Sequence, residues 1–275
     1  MIKKINNCVT RENNMAGITI SGGLIFSGGV AVGAGGGPGP GPGPGPGPTP
    51  ASAGRLFTWG GAANGQTGQD TLITKSSPTQ VGSDSTWLTI SSGYCSVGVK
   101  SDGTLWTWGR NNYGQLGDNT SINKSSPVQT IAGTTTWANV SIGVTTGAIK
   151  NDGTLWTWGW NFYGNLGDNT VINKSSPVQT VAAGTNWRQA AGGYGVAAIK
   201  TDGTLWGWGN NSYGNLGLNN TIDRSSPVQI GTDTNWSSIT LNEWGSAAAI
   251  KTDGTLWAWG QNSFAELGLT NRVQR

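Results

Sequence analysis

WLTISSGYCSVGVKSDGTLWTWGRNNYGQLGDNTSINKSSPVQT, running from Trp87 to Thr130, is the stretch from which the rest of the chain is read. Four pieces of it have the length and alternation of strands: Trp87 to Ile90, Ser96 to Lys100, Thr104 to Trp108, and Pro127 to Thr130. The second and third are separated by Asp102-Gly103, a pair that tolerates the positive backbone angles of a tight hairpin. Trp106 and Trp108 stand two apart, so they share one face of their strand, while Leu105 and Thr107 take the other. Two indoles per unit predict an inter-sheet core.

Outward from this stretch the chain repeats. Trp-Gly pairs begin at Trp59, Trp108, Trp158, Trp208 and Trp259, in steps of 49, 50, 50 and 51 residues. Asp-Gly recurs at Asp102, Asp152, Asp202 and Asp253, Ser-Ser-Pro ends at Pro78, Pro127, Pro177 and Pro227, and a lone tryptophan stands at Trp87, Trp137, Trp187 and Trp236. Four markers in one register, with no helical period between them, predict an all-β fold of tandem four-stranded units, the pattern of a β-propeller blade. An open stack of sheets is the alternative.

The segments Lys-x-Asp-Gly-Thr-Leu-Trp-x-Trp-Gly and Asn-x-Tyr-Gly-x-Leu-Gly resemble the regulator of chromosome condensation repeat family, over Arg55 to Arg275. The resemblance implies a propeller, commonly of seven blades, in proteins that bind other proteins and in one eukaryotic branch promote nucleotide exchange on a small nuclear GTPase. The family often has a histidine before the second strand, where this chain has Tyr94, Val144, Tyr194 and Trp244. The repeat region is also short, supplying four to five blades. Its first unit starts at the third strand, and in its last unit the segment equivalent to Asn219 to Ile230 has only Thr270 to Arg275 as its counterpart. Either the ends close a small ring, or they leave an arc whose open edges invite self-association.

Ahead of the repeats lie two segments of different composition. Residues 1–36 include an uncharged stretch of short apolar triplets divided by Gly-Gly pairs, which reads as strands and is expected to act as an anchor. Its nine glycines between Met15 and Gly37 argue against a membrane-spanning helix, because each costs about 1 kcal/mol there. Residues 37–54 carry proline alternating with glycine from Pro38 to Pro48 and are expected to be a spacer. Anchor, stalk and head together predict a display module of a phage virion or cell surface. The true start is either Met1 or Met15.

Composition removes several chemistries. The chain has no histidine, which excludes histidine catalysis and histidine metal ligation, and its two cysteines, Cys8 and Cys95, offer neither a disulfide framework nor a thiolate cluster. Of 16 basic and 13 acidic residues, Lys3, Lys4, Arg11 and Glu12 precede the repeats, leaving 13 and 12 within them. That balance gives no phosphate-tracking surface, so no nucleic-acid partner is expected. Asp102 and its equivalents read as turn residues, Lys100 and its equivalents as solvated rims, and Asp118-Asn119 as a turn without calcium-site spacing. No catalytic residue, cofactor or metal site is expected, and the protein reads as a non-enzyme.

Binding is read from where the repeats differ. The residue after each Trp-Gly and the loop between the first and second strands both vary, and they bring in aromatic and arginine side chains, the usual carriers of interface energy. Tyr94, Arg110, Trp160, Tyr194 and Trp244 are the candidate binding residues. A protein partner is expected, with a glycan stacked on the aromatics as the alternative.

Overall fold

In the computed structural model, the described residues are 3–5, 30–33, 53–131, 136–182, 184–242 and 244–268. Those after residue 52 form strands, turns and loops without a helix. The Gly-Pro run, most of the expected anchor and the tail from Thr270 to Arg275 lie outside them.

The second blade is β5 (Trp87–Ser92), β6 (Cys95–Lys100), β7 (Leu105–Gly109) and β8 (Lys124–Gln129), hydrogen-bonded in that order with every pair antiparallel. The same order builds the third blade from β9 (Trp137–Ile142), β10 (Thr145–Lys150), β11 (Leu155–Gly159) and β12 (Lys174–Gln179). The fourth is β13 (Trp187–Gly192), β14 (Gly195–Lys200), β15 (Leu205–Gly209) and β16 (Arg224–Gln229). The fourth strand begins three residues earlier than the sequence predicts and takes in the Lys-Ser-Ser-Pro run. It is the outer edge strand, where a missing N–H is tolerated, and its register slips by a bulge opposite Thr107 and Gly109.

The end blades draw on the N-terminal segment. β2 (Val30–Gly33) pairs with β3 (Arg55–Gly60), whose other neighbour is β4 (Lys75–Gln80). In the last blade β17 (Trp236–Leu241), β18 (Ser246–Lys251) and β19 (Leu256–Gly260) are followed by β1 (Lys3–Ile5). The first chain segment therefore takes the outer place of the last blade, for which the sequence offered only the short tail. The connection from β2 to β3 contains the Gly-Pro run.

The core lies between blades. Val97, Val99 and Leu105 of one blade pack with Trp137, Val140 and Trp158 of the next, and the other three junctions repeat the scheme. A loop latches each junction. The indole Nε1 of Trp158 donates to the Gln115 carbonyl of the preceding loop at 2.8 Å, and Asn119 N donates to Ser175 O at 2.8 Å. Gly114 and Gly117 make this approach possible: both have positive φ, and a Cβ would stand 2.5 Å from Ser175 Cα or 2.7 Å from the Trp158 indole. The two indoles of a blade are not equivalent, since Trp108, Trp158, Trp208 and Trp259 are fully buried whereas Trp106, Trp156, Trp206 and Trp257 are half-buried.

Candidate binding face

Each blade brings two variable positions together at one end. At the close of β7, Gly109 turns at φ 100° directly against Cys95, where a Cβ would lie 2.8 Å from Cys95 Cα. The chain then leaves beside the loop between the first two strands, and Arg110 N donates to Tyr94 O at 3.1 Å. Trp160 N meets Val144 O and Gln261 N meets Gly245 O in the same manner. The residue after Trp-Gly and that loop are one site, repeated around the array.

On this scaffold four of the five candidate residues join into a strip across three blades. The Arg110 guanidinium lies over Tyr94 at 5.6 Å and over Tyr113 at 5.7 Å. Tyr113 reaches Trp160 at 6.2 Å, and Trp160 meets Tyr163 at 5.3 Å and Tyr194 at 5.7 Å, both edge to face. Such geometries are the favoured ones for aromatic and cationic groups. Beyond Tyr194 the strip stops, because Asn210 takes the place of Trp160 and turns inward to Ser212. Trp244 stands apart in the fifth blade, 65% exposed, with no ring contact among the described residues.

Tyr113 and Tyr163 are members of the strip that sequence reasoning missed. Each belongs to an Asn-x-Tyr-Gly segment kept in three repeats, and constancy reads as scaffold. The signal was the hydroxylated ring itself, three residues beyond the variable position that follows Trp-Gly. Phe162, exposed and packed edge to face on Tyr163 at 5.0 Å, extends the apolar surface.

The opposite ends of the blades carry the lysines that precede each Asp-Gly turn, and these differ from the expected solvated rim. Lys100 Nζ sits 4.0 Å from the Trp106 ring centre and 5.0 Å from that of Trp87, and it pairs with Asp84 at 2.6 Å. Lys150, Lys200 and Lys251 lie between the corresponding indoles. In each blade a buried indole and a half-buried one turn their negative faces to the same point, and an ammonium satisfies both. Asp102, Asp152 and Asp202 serve as turn residues. Each accepts from the hydroxyl and the backbone N–H of the threonine two residues on, and these bonds hold its carboxyl below the ordinary value of 3.8.

Asp118 likewise accepts from Thr120 and from the buried Asn111 amide, the turn role expected of it. Among the described residues no group of three or more His, Cys, Asp or Glu side chains is placed to hold a metal ion, and no helix is long and apolar enough to cross a membrane.

Comparison with known proteins follows the repeat boundaries. The family model described as the regulator of chromosome condensation (RCC1) repeat matches residues 53–97, 102–148, 152–199 and 202–248. No curated protein sequence matches the chain. Among solved structures, human WBSCR16 is similar with a TM-score of 0.71 and 25% identity, over 82% of this chain and 61% of that one. Yeast RCC1 (Prp20) in its complex with Kap60 is similar with a TM-score of 0.69 and 17% identity, over 80% of this chain and 55% of the other. A Saccharomyces cerevisiae Prp20p structure, described with its binding properties to Gsp1p and histones, gives 0.68 and 18%, over 80% and 57%. The chain thus spans less than two thirds of the length of these proteins.

Proposed function

The chain belongs to the RCC1 repeat family, and from that membership we propose that it is a non-enzymatic module that binds a protein partner through the strip Tyr94, Arg110, Tyr113, Trp160, Tyr163 and Tyr194. The observation that carries this reading is the junction of an arginine and five aromatic rings across three blades, in which Tyr94, Arg110, Trp160 and Tyr194 stand where the repeats diverge and Tyr113 and Tyr163 bridge them from positions the repeats keep. Neutral drift has no reason to place its aromatic residues side by side. A half-exposed arginine held between tyrosines is also pre-ordered, so little side-chain entropy is lost on binding. The Prp20 relatives are described with protein partners, Kap60 in one structure and Gsp1p and histones in the other, and only that class of partner is carried to this chain.

Nucleotide exchange rests on the fold alone, and folds of this kind host many functions. Display on a virion or cell surface rests on the N-terminal layout of the sequence. Glycan binding has one observation in its favour: Trp244 offers an exposed, unstacked indole, the form in which aromatics take sugar rings.

The test compares proteins retained by the immobilised full chain with those retained by Trp160→Ala and Arg110→Glu variants, and places the full chain and Trp244→Ala on a glycan array. A protein held by the full chain and lost by both strip variants supports the proposal. Identical retention by all three refutes it, and a glycan signal that disappears with Trp244 puts the sugar reading first.

A further inference from the structure

The aromatic strip carries hydrogen-bond donors that the scaffold does not use. Among the described residues the hydroxyls of Tyr94, Tyr113, Tyr163 and Tyr194, the indole N–H of Trp160 and the guanidinium of Arg110 make no hydrogen bond or ion pair, and tyrosine faces hold the guanidinium. By contrast, the indoles of Trp108, Trp158, Trp208 and Trp259 each donate to a loop carbonyl. An indole and a guanidinium can only donate. The rings add a second feature. Trp160 meets Tyr163 at 87° and Tyr194 at 88°, so each corner joins one ring face to one ring edge. The strip also stands wholly on loops: Tyr94 and Tyr194 lie between the first two strands of their blades, and the other members follow a third strand.

A ligand that suits this surface brings acceptors, few donors and compact rings. We infer that the partner presents a proline-rich segment in the polyproline II conformation, an inference that rests on the strip being the protein-binding face. Such a segment leaves its carbonyls unpaired, has no N–H at its prolines, and arrives already ordered. The other common ways of holding a peptide do not match. Strand addition needs an open sheet edge, which loops do not offer; a helix laid across the strip would leave phenol and indole tips unpaired; and phosphate capture uses a cluster of arginines where the strip has one. The chain's own Gly-Pro run is a poor occupant. Residues on one edge of a polyproline II helix recur every three, whereas the prolines from Pro38 to Pro48 recur every two. Gly33 and Arg55, which that run connects, also pair at the end of the first blade opposite to the strip.

The experiment is calorimetric titration of the full chain with decaproline, with a Gly-Ser peptide of the same length, and with a peptide of residues 37–48. Decaproline is expected to bind saturably, the Gly-Ser peptide not at all, and the Gly-Pro peptide at least about 10-fold more weakly, since its prolines miss the three-residue edge and its glycines must be ordered. Trp160→Ala and Arg110→Ala should each weaken decaproline about 10-fold or more. Trp160→Phe keeps a ring and loses the indole N–H, so it should weaken binding about 2- to 10-fold. Trp244→Ala, outside the strip, should leave it unchanged, and circular dichroism checks that all variants are folded. Absence of decaproline binding, equal binding of the Gly-Pro peptide, or binding undiminished in the Trp160 and Arg110 variants overturns the inference. The wider reading fails separately: if proteins retained by the full chain are still lost with Trp160 and Arg110 while decaproline does not bind, only the proline class is wrong, and if retention does not depend on these residues the strip itself is wrong.

Discussion

Adding one methyl group at Gly117 tests the junction between blades directly. Gly117 has φ 65°, and its Cβ would lie 2.7 Å from Nε1 of Trp158, which is fully buried and donates to Gln115 O at 2.8 Å. Gly117→Ala therefore combines three penalties: left-handed backbone strain, overpacking against a ring that has no room to retreat, and loss of a buried hydrogen bond. Together these amount to about 3–5 kcal/mol. Gly268 is the matched control, with φ 64° and open space where its Cβ would stand. Gly268→Ala keeps the strain alone, about 1 kcal/mol. Urea unfolding followed by tryptophan fluorescence gives both values, and a melting curve should show the Gly117 variant lower than the Gly268 variant by about 5 °C or more. Equal losses at the two glycines would refute the reasoning, because the backbone cost would then be the whole effect and the loop would not latch the next blade.

Trp160→Ala should abolish capture of the protein partner while lowering the melting temperature by only a few degrees, about 1–2 kcal/mol, since the ring is half-buried and its neighbours are loop side chains. Lys150→Met should cost about 1–2 kcal/mol by losing the ammonium between Trp137 and Trp156, measured by denaturant unfolding at neutral pH. The carboxyls of Asp102, Asp152 and Asp202 are held low by bonds to Thr104, Thr154 and Thr204, so their contribution is present above the ordinary carboxylate value and is lost as pH falls through the lowered one. Replacing the three threonines by valine should flatten the fall in stability below pH 4, read as melting temperature against pH; an unchanged slope would count against these turns as its source.

Much of the fold was legible because the chain states it repeatedly. Asp-Gly turns, paired tryptophans and the 50-residue interval are local signals, each with a local physical cause, and the structure places the hairpins at those turns. The fourth strand was read short because its pairing comes from a bulged edge register that tolerates Pro127, a condition set by its neighbour and not by its own residues. The lysines were misread for a related reason. Lys100 is charged and precedes a turn, which describes a solvated side chain until two indoles from different strands are brought to either side of it.

The binding face divides in the same way. Arg110, Trp160, Tyr94 and Tyr194 stood out as departures from the repeat, and comparison of the units within one sequence suffices to find departures. That they touch, that Tyr113 and Tyr163 bridge them, and that Trp244 does not join them depends on the angle between successive blades, which is set by indole and leucine packing at the junctions. The ends depended on tertiary structure most of all. The sequence by itself determined a repeating all-β unit, its turns, its core residues and the candidates for contact, because each follows from spacing along one blade. Which surfaces face another blade and which face water, and that β1 and β2 lie on the last and first blades, only the folded structure decided, since those contacts join residues that the chain keeps up to its full length apart.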